Sequence, residues 1–326
     1  MDNFHGVAQF LPRWAHEVSQ PLPEPLASAA FTFQEAVDAG ATVGRLRHRS
    51  LVVPSRGIRQ PAHLTFTEQS SMIRPLTLIT EFSAASHATA FTLWSFPGFL
   101  PGADGAITHI SRPDTMAIPR RAGVRGHRGQ FFADEIVTHK GLLITSRTRT
   151  WLDCARRMSV EELTVVADHL LRIPRPDFEG RTEPYATRED LADMLDRHKG
   201  TPGIQKARLA LEQARVGSDS APETRLRLAL EYAGLPEPQL NMPADLGAAV
   251  VRQPDLAYPA QKVAVEYEGE GHSEAAQIIR DIAREEDFGR AGWVVVRVSK
   301  RHMENEARAA VAKVRSALAS RGWSPK

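Results

Sequence analysis

The chain contains a single cysteine, almost no net charge and no long apolar run. With one thiol, Cys154, an intrachain disulfide and a cysteine-rich zinc site are both excluded. Apolar residues around Cys154 recur at helical spacing, which predicts a buried structural thiol. The 41 Lys and Arg residues against 39 Asp and Glu leave a formal charge of +2, so overall charge does not indicate a polyanion-binding protein.

Membrane and export signals are also lacking. No stretch reaches about 18 consecutive apolar residues, and the N-terminus has no basic segment followed by an apolar core. We therefore expect a soluble, cytoplasmic protein with no membrane contact.

What is present suggests two folded domains. A length of 326 residues with 42% hydrophobic content is enough for two cores. Residues 1–30 contain a Pro-Leu-Pro-Glu-Pro segment and read as a tail or arm. Helical and strand-like patterns then alternate, which predicts a mixed α/β (α+β) fold, with an N-terminal domain over residues 31–200 and a C-terminal domain over residues 201–326.

The helices around this boundary carry clear local signals. Thr187, with Asp190 three residues later, is typical of a capping box before a helix that extends to Lys199. Ser220 and Gly234 suit the start and the end of the next helix. Further helices are expected over about 274–290, where Ile278, Ile279 and Ile282 would be buried, and over about 304–319.

A short strand that ends in two glutamates is the most informative segment. Successive strand residues point to opposite faces, so Glu266 and Glu268 should share a face with Ala264, while Val263 and Val265 point into the core. The alternation therefore predicts two carboxylates side by side on one face of a sheet.

A third carboxylate precedes this strand. Asp255 follows a proline, and the 11 residues from it to Glu266 allow an antiparallel hairpin with a turn through 258–261. A lone Asp after Pro is also common in turns. Facing carboxylates without a salt-bridge partner are costly, and a hard divalent cation is the usual solution. We therefore predict that Asp255, Glu266 and Glu268 hold Mg²⁺ or Mn²⁺.

Glu223 is a fourth candidate acid. It falls in the first turn of the helix that Ser220 begins. The helix dipole favours an acid there for stability alone. A place in the shell of the metal is the alternative, and both remain open.

These residues, in this order, resemble the PD-(D/E)XK nuclease superfamily, and more closely the bacterial domains related to the very-short-patch-repair endonuclease. The matching pieces are Glu223 on a helix, Pro254-Asp255, Glu266-Tyr-Glu268-Gly with His272, and the Gly-Trp-Val-Val-Val-Arg297-Val strand. The resemblance implies a restriction-endonuclease-like core of helix, three-stranded meander, helix, strand and helix. It also implies a Mg²⁺-dependent or Mn²⁺-dependent endonuclease that acts on DNA.

The resemblance also assigns roles to neighbouring side chains. Glu268 stands where the superfamily pattern has a lysine; a carboxylate can ligate metal or act as a base but cannot stabilise charge on phosphorus. His272 could act as the acid or base that is then needed. Positive charge could come from Lys262, Arg297 or Lys300.

Two arginines on the following helix, Arg280 and Arg284, are one turn apart. Either they contact phosphate, as Arg297 and Lys300 could, or they belong to a solvated helix face.

The N-terminal half resembles AbiEi-type antitoxin and regulator domains. Its matching segments are Arg56-Gly-Ile-Arg59, Ser86 to Trp94, Gly123 to Arg128 and Thr145 to Asp153. Those proteins pair a winged-helix DNA-binding start with an α/β body; here the winged-helix portion is short and degenerate, with one helix pair before Arg56. The resemblance implies a toxin or defence protein as a partner.

Two functions follow from the sequence. The first is a metal-dependent endonuclease that hydrolyses DNA phosphodiester bonds, in repair or defence. The alternative is a nuclease-fold DNA-binding regulator or antitoxin with weak or no catalysis, because the superfamily lysine is missing. A scaffold or partner-binding role for the N-terminal half is a third option.

Overall fold

A computed structural model shows that the chain is an α/β protein with two compact units, and it describes residues 21–64, 70–103, 105, 107–246, 251–269 and 275–325. The first unit contains the described residues up to 85 together with 107–130 and 138–143. The second contains 86–103, 105, 131–137 and the described residues from 144 onward.

The first unit begins with two short helices and a small sheet. Strand β1 (Phe31–Thr32), β2 (Leu51–Val52) and β3 (Ile58–Pro61) form an antiparallel sheet in the order β1-β3-β2, around helices α1 (Phe33–Asp38) and α2 (Val43–Leu46). Thr32 caps α1 with a capping box. Leu26 is buried against this small core. The C-terminal part of the expected tail therefore packs on the fold, whereas residues 1–20 lie outside the described residues.

A larger mixed sheet follows. It has the strand order β6-β7-β5-β4-β9-β8, and β5 pairs in parallel with β7. The strands and the helix preceding them are α3 (Ser70–Ile79), β4 (Ala84–Ala85), β5 (Thr108–Pro113), β6 (Arg120–Arg121), β7 (Val124–Gly129), β8 (Ile136–His139) and β9 (Leu142–Thr145).

A layer of helices opens the second unit. Its members are α4 (His87–Leu93), α5 (Arg147–Cys154), α6 (Val160–Leu171), α7 (Pro176–Glu179), α8 (Arg188–Arg197) and α9 (Ile204–Gln213). Helix α6 packs on α9, and α8 packs on both α5 and α9. Cys154 is buried, as predicted, and burial raises the pKa of its thiol. Residue 200, near which a domain boundary was expected, lies between α8 and α9 within this layer.

The C-terminal core has the predicted order of elements. Helix α10 (Ala221–Tyr232) precedes a four-stranded sheet of order β10-β13-β14-β15, in which β10, β13 and β14 form an antiparallel meander and β15 returns parallel to β14. The remaining bounds are β10 (Gln239–Leu240), β11 (Ala244–Asp245), β12 (Val251–Arg252), β13 (Leu256–Tyr258), β14 (Val263–Glu268), α11 (Ala275–Arg290), β15 (Val294–Ser299) and α12 (Glu304–Ser320).

Local sequence signals explain most of these boundaries. Ser220 caps α10, and Thr187 with Asp190 forms the predicted capping box on α8. Gly234 has a φ of +76° immediately after α10, which a residue with a Cβ adopts only at a cost. The hairpin between β13 and β14 turns through a 3₁₀ helix at Pro259–Gln261, as the spacing predicted.

The face pattern of the site strand is partly as expected. Val263 and Val265 lie in a buried apolar cluster, which α10 and α12 help to form. Ala264 is also fully buried, although it shares a face with the glutamates. The prediction that Ile282 is buried was wrong, because its side chain is 53% exposed. Among the described residues, no helix has the length and apolar character needed to cross a membrane.

Candidate functional site

Asp255 lies at the start of the strand pair that the sequence singled out. It directly precedes β13, in which Leu256 pairs with Val265 of β14. In this antiparallel register the preceding residue, Asp255, lies opposite Glu266. Its Oδ2 accepts a hydrogen bond from the backbone N of Tyr267 at 2.7 Å. Burial raises the pKa of Asp255 from its ordinary value of 3.8 to about 6, and the negative charge of Glu266 adds to this increase. The predicted meeting of the two carboxylates is therefore confirmed.

Glu223 approaches the same place from the helix. It is buried in the first turn of α10, and its carboxylate accepts hydrogen bonds from the Asp219 backbone N (2.9 Å), the Ser220 hydroxyl (2.8 Å) and the Asn241 amide (3.1 Å). Burial raises its pKa, and Asp255 raises it further. Its contacts therefore stabilise the first turn, as the first interpretation expects, and it lies within electrostatic range of Asp255; its place in the shell of a metal stays a prediction.

Glu266 has a cationic partner, which the sequence argument did not anticipate. Arg284 on α11 donates to its Oε1 from Nη2 at 2.7 Å and from Nε at 3.2 Å. The expectation that the facing carboxylates lack a salt-bridge partner was therefore wrong. Arg284 was predicted to contact phosphate or to face solvent; in the structure it is only partly exposed and binds a carboxylate.

Glu268 is also paired with an arginine. It is exposed, and Arg297 Nη1 donates to its Oε1 at 3.1 Å while Arg297 Nη2 donates to Glu285 at 2.8 Å. In the parallel register of β14 and β15, Arg297 lies beside Glu266. The positive charge that the sequence placed near this strand is therefore present, and two carboxylates share it.

The remaining predicted residues are less informative. His272 lies outside the described residues, and the side chain of Arg280 does as well. Lys300 is exposed at the start of the 3₁₀ helix that follows β15.

In the part of the chain that the structure describes, no group of three or more His, Cys, Asp or Glu side chains is placed to hold a metal ion. The predicted shell of Asp255, Glu266 and Glu268 is thus not preassembled.

Two residues that the sequence did not single out connect these carboxylates. Asn241 donates to Glu223, and its backbone N donates to the Asp255 carbonyl at 3.0 Å. Gln253 donates to the Asn241 carbonyl and accepts from Arg284 Nη2 at 2.6 Å. A chain of hydrogen bonds therefore runs from Glu223 to Arg284 around Asp255. Asn241 has a φ of +45°, a conformation in which Asn is enriched. An Asn directly after a short strand was therefore the sequence signal that could have identified this residue.

Helix α10 is held rigidly where it presents Glu223. Arg227, fully buried, pairs with Asp168 of α6 at 3.0 Å and with Glu231 at 3.0 Å. Arg225 of the same helix forms a bidentate ion pair with Glu162 of α6, at 2.8 and 2.9 Å. The position of Glu223 therefore depends on residues from α6, in the part of the chain that the sequence assigned to another domain.

The charge balance of the cluster suits a cation. Glu223, Asp255 and Glu266 are three acids beside one arginine, Arg284. Burial raises the pKa values of Asp255 and Glu223, and the neighbouring carboxylates raise them further. Carboxylate oxygens are the ligands that Mg²⁺ and Mn²⁺ prefer. Asp255 and Glu266, which face each other across the hairpin, are the two carboxylates that could hold such an ion.

About half of this chain is similar to two known proteins. The chain is 29% identical, over 157 residues, to two proteins called uncharacterized, from Mycobacterium tuberculosis strains H37Rv and CDC 1551 / Oshkosh. The match covers 48% of this chain, and it spans about half the length of these curated relatives (54%). No protein-family model matches the chain, and no solved structure does either.

Proposed function

We propose that this protein is a metal-dependent endonuclease that hydrolyses phosphodiester bonds in DNA. The observation that carries the proposal is the pair of Asp255 and Glu266, two carboxylates brought together beside buried Glu223 on a core of helix, three-stranded meander, helix and parallel strand. The order of these elements and of the acids supports membership of the PD-(D/E)XK superfamily. A role in repair or in defence is consistent with both resemblances of the sequence.

Asp255 and Glu266 would hold Mg²⁺ or Mn²⁺, and Glu223 and Glu268 would complete its surroundings. When bound, such an ion lowers the pKa of water and neutralises charge that develops on phosphorus. The donor set fits, because it consists of carboxylates with an excess of negative charge. Glu268 could join the shell only by giving up Arg297.

The residues of the chain prepare this arrangement. The Tyr267 backbone N fixes one oxygen of Asp255, and the contacts of Asp219, Ser220 and Asn241 fix Glu223. Arg284 neutralises part of the charge on Glu266. In the absence of the superfamily lysine, Arg284 and Arg297 are the cations bound to the glutamates of β14, and His272 remains the proposed acid or base.

A second function is favoured by a specific observation. Glu266 and Glu268 are each bound to an arginine, so the described residues do not present three free metal ligands. A protein of this kind could bind DNA as a regulator or antitoxin without hydrolysing it, with a toxin or defence protein as its partner. Its place of action in either case would be the cytoplasm.

The test uses the full chain with supercoiled, nicked and mismatched DNA in Mg²⁺ or Mn²⁺. Asp255→Ala is the inactive comparison, and Asp196→Ala, a surface carboxylate on α8, is the matched control. The endonuclease proposal expects cleavage by the wild type and by the control but not by Asp255→Ala. If neither metal produces cleavage above Asp255→Ala, while EDTA leaves duplex binding unchanged, the regulator is the correct function.

A further inference from the structure

Four arginines form a row that leads from the helical layer to the carboxylate cluster. This guanidinium row consists of Arg147, Arg172, Arg175 and Arg181, and none of its members was predicted as a functional residue. Each belongs to α5 or to the segment between α6 and α8, so the row comes from outside the nuclease-like core.

Aromatic rings hold one end of the row. The Arg147 guanidinium lies 4.0 Å from the ring centre of Trp94 and 4.1 Å from that of Tyr185, and Arg181 lies 4.0 Å from Tyr185. Trp94 is itself fixed, because its indole N donates to the Thr145 carbonyl at 2.9 Å. Cation–π contacts of this kind hold a guanidinium in place without removing its charge.

Two carboxylates hold the other end. Glu179 accepts from Arg172 at 2.7 Å and from Arg181 at 3.0 Å. Asp219 accepts from Arg172 at 3.4 Å and also from Arg175. Arg147 pairs with no carboxylate among the residues that the structure describes.

The row concentrates guanidinium groups in one place. Its contacts join four guanidiniums to two carboxylates, Glu179 and Asp219; Glu183 lies two residues after Arg181, and the side chain of Asp177 lies outside the described residues. His169 beside the row responds to these guanidiniums: burial, together with Arg172, Arg181 and Arg147, lowers its pKa to about 4.

The row ends at the candidate site. Asp219, which Arg172 and Arg175 bind, donates its backbone N–H to Glu223 at 2.9 Å. Because Glu223 lies within electrostatic range of Asp255, the positive row and the negative cluster adjoin within the same compact unit.

We propose that the guanidinium row binds the phosphodiester backbone of a nucleic acid and holds the strand beside Glu223 and Asp255. The proposal rests on the proposed function, for which it supplies the substrate-binding surface. Arg forks match phosphate oxygens in pairs, and Arg175 and Arg181 would each contact one phosphate. Arg175 is 52% exposed and Tyr185 is 37% exposed, so the row is accessible at these two side chains, whereas Arg172 and Arg181 are largely covered.

The experiment measures binding of a fluorescent 25-base duplex DNA and of its single strand by anisotropy, in EDTA and at several salt concentrations, so that cleavage plays no part. The test variant is Arg175→Gln/Arg181→Gln. The control is Arg208→Gln/Arg315→Gln, which removes the same charge from exposed positions elsewhere in the unit. Thermal unfolding of each variant confirms that it folds.

The expected result is a loss of roughly tenfold in duplex affinity for the test variant, and a salt dependence of log K that falls by about 2, close to 0.9 for each lost phosphate contact. The control should match the wild type. Equal binding and equal slopes for the two double variants, or no binding of either strand form by the wild type, would overturn the proposal.

The outcomes also separate this proposal from hydrolysis. Binding that depends on the row without any cleavage in Mg²⁺ or Mn²⁺ retains the surface and removes the nuclease. Cleavage by the wild type, with binding by the test variant unchanged, retains the nuclease and rules out the guanidinium row as its binding surface. The single-strand arm decides whether the row accepts an unpaired backbone, for which each contact changes the slope by about 0.7.

Discussion

The guanidinium of Arg284 donates two hydrogen bonds to the same carboxylate oxygen of Glu266, at 2.7 and 3.2 Å. This pair joins helix α11 to the strand that carries the candidate metal ligand. It also places a positive charge close enough to Asp255 to oppose the increase in the pKa of that carboxyl group. A bound divalent ion and Arg284 would therefore offset the same negative charge.

We expect Arg284→Gln to destabilise the metal-free protein at pH 8 by about 1 kcal/mol, because Glu266 and Asp255 lose that charge. Mn²⁺ should then raise the unfolding temperature of the variant more than that of the wild type, since the ion takes over the role of the guanidinium. The measurement is thermal unfolding in EDTA and in Mn²⁺. Arg290→Gln, on the same helix but bound to Asp287, is the control. An equal Mn²⁺ shift in all three proteins would show that Arg284 and the ion do not share the site.

The raised pKa of Asp255 predicts how stability changes with pH. A carboxyl whose pKa is higher in the folded than in the unfolded chain contributes stability that is complete below the unfolded value and is lost as pH rises through the folded value. For Asp255 these values are 3.8 and about 6. Its ionisation thus costs about 3 kcal/mol at pH 8, at about 1.36 kcal/mol per pKa unit.

Asp255→Asn removes this cost and keeps an oxygen for the Tyr267 backbone N. We therefore expect the variant to be more stable than the wild type at pH 8 in EDTA, with the difference vanishing below about pH 4. Urea unfolding at pH 4, 6 and 8 measures it, and Asp196→Asn on the surface serves as the control. A variant less stable than the wild type at every pH would contradict the prediction.

Two substitutions of Asn241 distinguish the effect of backbone strain from the effect of losing its side-chain hydrogen bond. Its φ of +45° is costly for Ala, by about 1 kcal/mol or more, but not for Gly. Both Asn241→Ala and Asn241→Gly lose the hydrogen bond to Glu223. We expect Asn241→Ala to be the less stable of the two, and both to lose cleavage to a similar degree because Glu223 is no longer held. Denaturant unfolding and single-turnover cleavage provide the two measurements; activity that followed stability alone would exclude a positioning role.

The buried pair of Arg227 and Asp168 should respond strongly to single substitutions. Asp168→Asn leaves a buried guanidinium charge with less compensation, which costs about 3–5 kcal/mol. The double variant Asp168→Leu/Arg227→Met removes both charges and should recover most of that loss. Urea unfolding of the single and double variants gives the coupling energy. Effects that simply add would show that the two side chains do not interact.

The elements of the C-terminal core could be predicted from sequence because their signals are local. Ser220, Gly234 and the alternation of Val263 to Glu268 each act through nearest neighbours along the chain, and the order of elements follows from them. The pairing of Asp255 with Glu266 followed from spacing alone, since an antiparallel hairpin fixes which residues face each other.

The rest depends on contacts between distant parts of the chain. Nothing in the helical pattern of α11 indicates that Arg284 turns towards Glu266, and Ile282 lies exposed in spite of its apolar side chain. Likewise, Arg227 meets Asp168, 59 positions away, and both look like ordinary surface charges in the sequence. Such long-range ion pairs are set by packing, which periodicity does not encode.

The Arg227–Asp168 pair also has a consequence for how this chain can change over generations. A substitution at either position leaves the buried charge of the other without this partner, so the two positions should vary together among descendants. Recombination near residue 200 would join an α6 from one ancestor to an α10 from another. A hybrid that keeps one charge of the pair without the other would lose several kcal/mol of stability, whereas a hybrid with both residues, or with neither, would not.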